Sequence, residues 1–365
     1  MSRSVMTTSD NLRKQIWEEE LYRDTLKETF FVSRLGGDAY TKLEKGQPFE
    51  SSPNDIIQVK TAMEAKGRTK TRNGDKITFG LVPRIDPATY PGVRSGQKLK
   101  GKEVPLSWYD FAIELERYRQ AISAGSPMDW HRASFNMPTE AEAALKNWGV
   151  EILDKICFDA LAVSTGTPFF YKTAAGVLKT TTAATAKTAL TVADGKLTPQ
   201  MVSFMKTWGI TGGGRTYIPP RPVKIKGKNY YALIVHPDVV YDWKQDSTVQ
   251  QASREAEVRG SENPLFTGAS YIWDGVVIHE NENITVGTDA GAGSDVAYSV
   301  GHLLGAQALC FGWGERPSIV EDTEDFQEDL FYAWRMTCAV EKPVFNSKAY
   351  GSFSFYIART NVSGA

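Results

Sequence analysis

The sequence predicts an α+β fold, in a chain long enough for two ordinary domains or one elaborate domain. Three observations support this: a long amphipathic helix at residues 139–163, strand patterns within a basic segment at 54–112, and a continuous apolar strand at 230–235. Of the 365 residues, 41% are hydrophobic and 23% are charged, so the chain can bury a substantial core and is not disordered overall.

Charge and cysteine content argue against several classes of protein. The formal net charge is -1, whereas a protein that coats nucleic acid by neutralising phosphates is usually clearly basic. Cys157, Cys310 and Cys338 are too far apart for a disulfide framework or a metal knuckle, and they indicate a reducing cytosol. No apolar run has membrane-spanning length, and the first thirty residues are too charged for a signal peptide.

Taken in order, the chain begins with a predicted charged helix at residues 9–30. Its apolar residues are interspersed with many charges, and Glu19 and Arg23 form a favourable i,i+4 pair. Such a helix is not hydrophobic enough to form a core alone, so we expect it to lie across a surface, its own or a neighbour's. Gly36 and Gly37 are expected to end it.

A basic segment at 54–112 is predicted to form a long, two-stranded arm. It has strand patterns at 55–60 and 108–115 and a hairpin-type turn signal at Asn73-Gly74. Its first basic residues are Lys60, Lys66, Arg68, Lys70, Arg72 and Lys76. A solvated loop is the default interpretation of such a charge run, but loops this long in a compact chain are usually functional.

The long helix at 139–163 is the main architectural element. Thr139 and Glu142 have the spacing of a capping box, and Pro138 precedes them, so we expect the helix to start there. Its apolar stripe comprises Leu145, Trp148, Ile152, Leu153, Ile156, Cys157, Ala160 and Leu161. The stripe predicts packing against a sheet or another helix, along a rod of roughly 36 Å.

Shorter elements follow in the second half of the chain. Residues 173–191, rich in Thr and Ala, predict an exposed loop or weak hairpin. A helix is predicted from Thr198 to about Gly209, and another after the strand at 230–235. Further strands are predicted at 276–280, 332–339 and 351–358, the last two as a terminal pair.

We find no catalytic or metal-binding constellation in the sequence, and we predict no cofactor. His279-Glu280 resembles the start of a zinc-protease motif but lacks its second histidine, and the glycines at 212–214 lack the Lys-Ser/Thr of a phosphate loop. The acidic run at 321–329 could bind a hard cation, but a solvated face or a contact with the basic arm of a neighbouring subunit is the interpretation we favour. A protein that is not an enzyme is therefore indicated.

Six short motifs are informative together: IWEEELYRDTL (16–26), GDKITFGL (74–81), LIVHP (233–237), NPLF (263–266), GVVIHE (275–280) and LGAQAL (304–309). In this order and spacing they resemble the major capsid proteins of tailed double-stranded DNA bacteriophages, in particular the N4-like family. The resemblance extends over nearly the whole chain, from about residue 16 to 357.

The resemblance implies the Hong Kong 97-type capsid fold and a division of the chain into five parts. These parts are an N-terminal arm (1–53), an extended two-stranded loop (54–112), a peripheral domain with the long helix as its spine (113–165), an axial domain (166–305) and returning strands of the peripheral domain (306–365).

The resemblance also implies a structural role in a virion. Hexamers and pentamers of one chain would close into an icosahedral shell around a packaged double-stranded DNA genome, in the host bacterial cytoplasm. Implied partners are further copies of the chain, with portal, scaffolding and decoration proteins, and no membrane.

The candidate inter-subunit contacts are Lys66, Arg68, Lys70, Arg72, Glu321, Asp322, Glu324 and Asp325. No lysine is marked for the covalent cross-link of some relatives, so we expect non-covalent assembly.

Three alternatives stay open at the level of sequence. An encapsulin-like protein would have the same fold but would form the shell of a cellular compartment. A neighbouring gene for a cargo protein would favour this alternative. A metal-dependent hydrolase would use the acidic run and His279, and would bind stoichiometric metal. A nucleic-acid-binding module would use the basic arm with Trp108 and Tyr109 as stacking partners, and its binding would be sensitive to salt.

Overall fold

The structure is a computed structural model of the chain. It describes residues 21–45, 51–61, 75–81, 92–93, 95–96, 98–101, 103–104, 108–132, 134, 136–172, 178–192, 194–215, 220–225, 227–257, 271–324 and 329–360.

The described helices are residues 21–28 (α1), Phe30–Leu35 (α2), Gly37–Glu44 (α3), Pro127–Arg132 (α4), Met137–Ala162 (α5), Ala183–Thr188 (α6), Pro199–Arg215 (α7), Pro237–Gln245 (α8) and Ser247–Glu257 (α9). The described strands are Ile57–Thr61 (β1), Lys76–Leu81 (β2), Tyr109–Glu114 (β3), Glu116–Gly125 (β4), Phe169–Lys172 (β5), Leu178–Thr181 (β6), Val223–Ile225 (β7), Lys228–Val235 (β8), Tyr271–Trp273 (β9), Val276–Glu280 (β10), Val286–Ala290 (β11), Val296–Leu304 (β12), Leu309–Glu324 (β13), Asp329–Glu341 (β14), Val344–Phe345 (β15), Lys348–Ala349 (β16) and Ser352–Ala358 (β17). Within these ranges, no helix combines the length and the apolar character that crossing a lipid bilayer requires.

The smaller of the two main sheets has four strands in the order β1-β13-β14-β4. β1 runs parallel to β13, and the other neighbours are antiparallel. The helix α5 packs against one face, where alternate residues of β14 are buried: Tyr332, Trp334, Met336 and Cys338. The residues between them are only half-buried, so the two faces of this sheet are unequal.

The larger sheet contains nine strands, seven of them in the order β6-β5-β17-β12-β8-β10-β9. One face packs on α7 and α8 through a cluster that includes Phe355, Met201 and Trp243. The other face packs on α6 through a cluster that includes Tyr356 and Ala186. Because both faces are covered, every residue of β17 is buried.

The predicted long helix is confirmed, but its predicted start is wrong. α5 begins at Met137 with Asn136 as its N-cap residue, and no side chain caps it. Thr139 therefore lies within the first turn, where it cannot act as an N-cap. Pro138 occupies one of the first two helical positions, which suits a proline because those N–H groups have no intrahelical acceptor.

Several other predictions need correction. The strand predicted at 55–60 exists as β1 but pairs with β13, and β2 pairs with β3. The turn predicted at Asn73-Gly74 lies outside the described residues. β4 was not predicted. The Thr- and Ala-rich segment contributes the buried Ala186 and Leu190 to the core, and α7 continues past Gly209 to Arg215.

The chain does return to the smaller sheet after residue 306, through β13 and β14. The predicted terminal pair of strands, however, is divided between the two sheets: β17 lies in the larger sheet, between β5 and β12. Its alternate residues Phe353, Phe355 and Ile357 face one apolar cluster, and Tyr356 and Ala358 face another. A strand that is apolar on both faces is stabilised most at the centre of a covered sheet.

Candidate functional site

The hairpin β2–β3 is anchored against the smaller sheet at its base. Ile77 and Ile113 pack with Phe79, Cys310 and Ala339 in one apolar cluster. They cross β13 at Gly312, where a Cβ atom would lie 2.8 Å from Ile113 and 2.9 Å from Ile77. A glycine at this position lets the hairpin approach the strand closely. This packing fixes the base of the segment that the sequence predicted as an arm.

The structure describes only part of the predicted inter-subunit contacts. Lys66, Arg68, Lys70, Arg72 and Asp325 lie outside the described residues, and only the backbone of Glu324 is described. Glu321 and Asp322 are both exposed on β13. Because side chains alternate along a strand, these two acids lie on opposite faces of the smaller sheet. One partner surface therefore cannot cover both of them.

Glu142, which the sequence did not mark as a contact, lies near Glu321 on the side of the sheet that carries α5. Burial and the charge of Glu321 raise the pKa of Glu142 above its ordinary value. The same two carboxylates, after burial, raise the pKa of Tyr332. The ionised carboxylates of Glu142 and Glu321 repel each other, so a cation placed beside them would stabilise the charged form of both.

The N-terminal helices are held on α5 by a buried carboxylate. Asp154 accepts hydrogen bonds from the backbone N–H groups of Phe30 (3.0 Å) and Phe31 (3.3 Å), at the start of α2. Burial raises the pKa of Asp154 to about 6, and the two hydrogen bonds oppose that shift. Lys146 adds a contact with Glu28 at 2.9 Å. Residues 21–35 thus dock along the long helix.

The C-terminal end of α5 is held by Lys342, a buried residue just after β14. Its ammonium group donates hydrogen bonds to the carbonyl oxygens of Leu161 and Val163. Burial lowers the pKa of Lys342 to about 8. A cation at a helix C-terminus is favourable because the last carbonyl groups have no intrahelical donors.

Three of the described histidines, His236, His279 and His302, have structural surroundings. Burial lowers the pKa of His302 to about 3, and its Nδ1 lies 3.1 Å from the hydroxyl of Ser354. Burial and the charge of Arg34 lower the pKa of His279 to about 4. Nδ1 of His236 accepts from the N–H of Asp238 and caps α8. Among the described residues, no group of three or more His, Cys, Asp or Glu side chains could hold a metal ion.

Comparison with known proteins identifies the family. A family model described as "Phage capsid protein" matches residues 5–353. The chain belongs to this family. The major capsid protein of Pseudomonas phage KPP25 is 23% identical to this capsid protein, over an alignment that covers 95% of this chain and 96% of that protein.

Solved phage capsids share the fold. The capsid of Ralstonia phage GP4 matches with a TM-score of 0.71 at 20% identity, over 92% of each chain. The Cyanophage Pam1 capsid matches with a TM-score of 0.65 at 19% identity, over 85% of this chain and 90% of the other. The predicted capsid fold, the structural rather than catalytic role and the place in a virion are therefore confirmed, and neither a hydrolase nor a cellular compartment shell is favoured.

Proposed function

We propose that this capsid protein assembles as hexamers and pentamers into an icosahedral shell that encloses a double-stranded DNA genome, in the cytoplasm of the host bacterium. The observation that supports this most directly is the capsid family match over residues 5–353. A formal charge of -1 suits enclosure of DNA, because a strongly basic lining would bind phosphates tightly. Portal, scaffolding and decoration proteins complete the proposed set of partners.

The proposed division of the subunit follows the Hong Kong 97 type, with one change. The N-terminal arm (1–53), extended loop (54–112), peripheral domain with the spine helix α5 (113–165) and axial domain (166–305) are kept. Within 306–365, β13 and β14 are assigned to the peripheral domain and β17 to the axial domain, because β17 pairs with β5 and β12.

The basic residues Lys66, Arg68, Lys70 and Arg72 are proposed to contact the acidic pair Glu142 and Glu321 of a neighbouring subunit. The raised pKa of Glu142 beside Glu321 supports this pairing, since a neighbour's cations would relieve the repulsion between the two acids. Each ion pair at an exposed site contributes only about 0.2–1 kcal/mol, so the effect depends on repetition over the shell and weakens as salt increases.

Expression of the chain, alone and together with the neighbouring genes of its phage, tests the proposed assembly. Negative-stain microscopy with light scattering is expected to show closed shells, or rings of five or six subunits. A monomer in both preparations would contradict the proposal.

The contact is tested by the triple reversal K66E/R68E/K70E. We expect this variant to fold normally by circular dichroism and to lose most of its assembly. The matched control is K155E/K228E/K244E, which makes the same change in net charge at exposed lysines outside the basic segment. Normal shells from the first triple variant would rule out this contact.

A further inference from the structure

The face of the smaller sheet opposite α5 is covered by the subunit over only half of its length, and we call it the open face. At one end it is covered by the hairpin β2–β3 and by Leu115, which a Cβ atom on Gly314 would touch. Beyond this cover, Val320 is 39% exposed, and Ala121 in the same cross-strand row is exposed as well. A sheet face of this kind is usually covered by a partner where the subunit does not cover it.

Three arginines form a basic patch on the open face, at the edge of the sheet. Arg119 of β4, the last strand of the sheet, lies directly opposite Arg335, and Arg117 lies two residues from Arg119 on the same face. Arg117 and Arg335 contact Glu315 at 3.9 Å and 3.7 Å respectively. Arg119 has no ion pair among the described residues. Like charges directly opposite each other are destabilising, and one glutamate against three arginines leaves two positive charges unbalanced.

An acidic pair lies at the other end of the open face, where β13 ends and β14 begins. Asp322 is exposed on β13 directly opposite Phe331, and Asp329 lies two residues from Phe331 on β14, so both aspartates are on this face. Asp322 accepts from the N–H of Thr323 at 2.9 Å. In the part of the chain that the structure describes, neither aspartate has a cation within ion-pair distance. The pair therefore carries two negative charges without a counter-charge.

The basic patch and the acidic pair cannot neutralise each other within one subunit. Arg335 and Asp329 are six residues apart on β14, which is about 20 Å along a strand. An ion pair needs direct contact between the charged groups, so this separation is too large. A surface that carries equal and opposite charges at two separate places is complementary to a second copy of itself.

We propose that the acidic pair of one subunit contacts the basic patch of the next subunit, head to tail, in a ring. Both charged groups lie on one face, so a rotation about an axis roughly perpendicular to the sheet keeps them on the same side of the ring. One group lies on an edge strand and the other at the end of a hairpin, so subunits lying side by side can bring the two together. Head-to-tail contacts of this kind close into rings. This inference rests on the proposed function and adds to it a defined contact between subunits.

The charges favour a second copy over nucleic acid as the occupant. A phosphate-binding surface would continue the positive charge of the basic patch, whereas Asp322 and Asp329 repel phosphate groups. Arginine beside apolar side chains such as Val320 is typical of protein interfaces. A second copy supplies two carboxylates for the two unbalanced positive charges.

Cross-linking distinguishes a head-to-tail contact from a two-fold one. In assembled particles of the double variant R117C/D329C, a short bis-maleimide should link position 117 of one subunit to position 329 of the next. Within one subunit these positions are eight strand residues apart, or about 27 Å, which the reagent cannot bridge. We expect a ladder of trimers and larger species on a denaturing gel, because each subunit is linked to two neighbours. Each single-cysteine variant should stay monomeric, since the native cysteines are all buried.

Charge exchange tests which groups meet. Arg119→Glu and Asp329→Arg are each expected to raise the subunit concentration needed for assembly by about tenfold, because each replaces an attraction by a repulsion. The double variant R119E/D329R restores opposite charges across the contact and should assemble like the wild type. Lys228→Glu, an exposed reversal in the larger sheet, is the control and should have no effect.

The outcomes separate this inference from the proposed function. Wild-type particles combined with a ladder that stops at dimers, or with a double charge variant no better than the single ones, would overturn the head-to-tail contact alone. Loss of DNA retention in Arg119→Glu with Asp329→Arg unaffected would also overturn it, in favour of a nucleic-acid contact. A wild-type chain that forms no particles, alone or with the neighbouring genes of its phage, would overturn both.

Discussion

The two main sheets of this capsid protein differ in how much of their surface the subunit itself covers. The larger sheet is enclosed by apolar clusters on both faces, and its strand β17 is buried at every residue. The smaller sheet is buried under α5 on one face and half open on the other. The larger sheet therefore completes its core within one chain, whereas the smaller sheet presents a surface that suits contacts between chains.

The largest expected effect comes from truncating one apolar side chain in each sheet. Phe355 is 1% exposed and stacks on Phe170 with ring centroids 5.1 Å apart, so Phe355→Ala should lower the free energy of unfolding by about 3–5 kcal/mol. Val320→Ala on the open face should change it by less than about 0.5 kcal/mol. Urea unfolding of unassembled subunits measures both, and equal losses would contradict the contrast between the sheets.

A second expected effect is a pH dependence at Asp154 in α5. Its pKa is about 6 in the folded protein and 3.8 ordinarily. The folded state therefore binds more protons between these values, and the free energy of unfolding should fall by up to about 3 kcal/mol as pH rises from 4 to 6. Asp154→Asn should remove this step.

Two features of the experiment isolate Asp154. His279 and His302, whose pKa values lie below the ordinary 6.5, give the opposite slope, because the unfolded state binds their protons first as pH falls. The difference between variant and wild type is thus the quantity to measure. Glu151→Gln, an exposed acid on the same helix, is the control. Parallel stability curves for wild type and Asp154→Asn would refute the assignment.

The smallest expected effect compares two glycines in helices, one against each sheet. A Cβ atom on Gly149 of α5 would lie 2.5 Å from the ring of Trp334, whereas the nearest atom to a Cβ on Gly209 of α7 is Tyr231 at 3.6 Å. Gly149→Ala should cost about 1–2 kcal/mol despite the better helix propensity of alanine. Gly209→Ala should be neutral or stabilising by up to about 1 kcal/mol. If both variants are stabilised, α5 does not need its close approach to the sheet.

Elements that follow from local periodicity were predictable from the sequence. The stripe through Leu145, Leu153 and Cys157 identified α5 because these residues are buried on one face. The apolar run at 230–235 identified β8 for the same reason. β4 was missed because its exposed face carries Arg117 and Arg119 and gives no apolar alternation.

Features that depend on contacts between distant residues were not predictable. Gly149 and Asp154 interrupt the apolar stripe of α5, and only the positions of Trp334 and the start of α2 explain them. The acidic run at 321–329 suggested one surface, but strand alternation separates Glu321 from Asp322. Glu142 joins Glu321 through the tertiary fold, and nothing in its local sequence marks it.

The central place of β17 also constrains when the subunit can fold during synthesis. β5 and β12 can be joined only by residues 352–358, so a nascent chain that lacks them has two unpaired strand edges in its larger sheet. Such edges favour aggregation when they persist. Chains that stop before residue 352 are therefore unable to build the larger sheet.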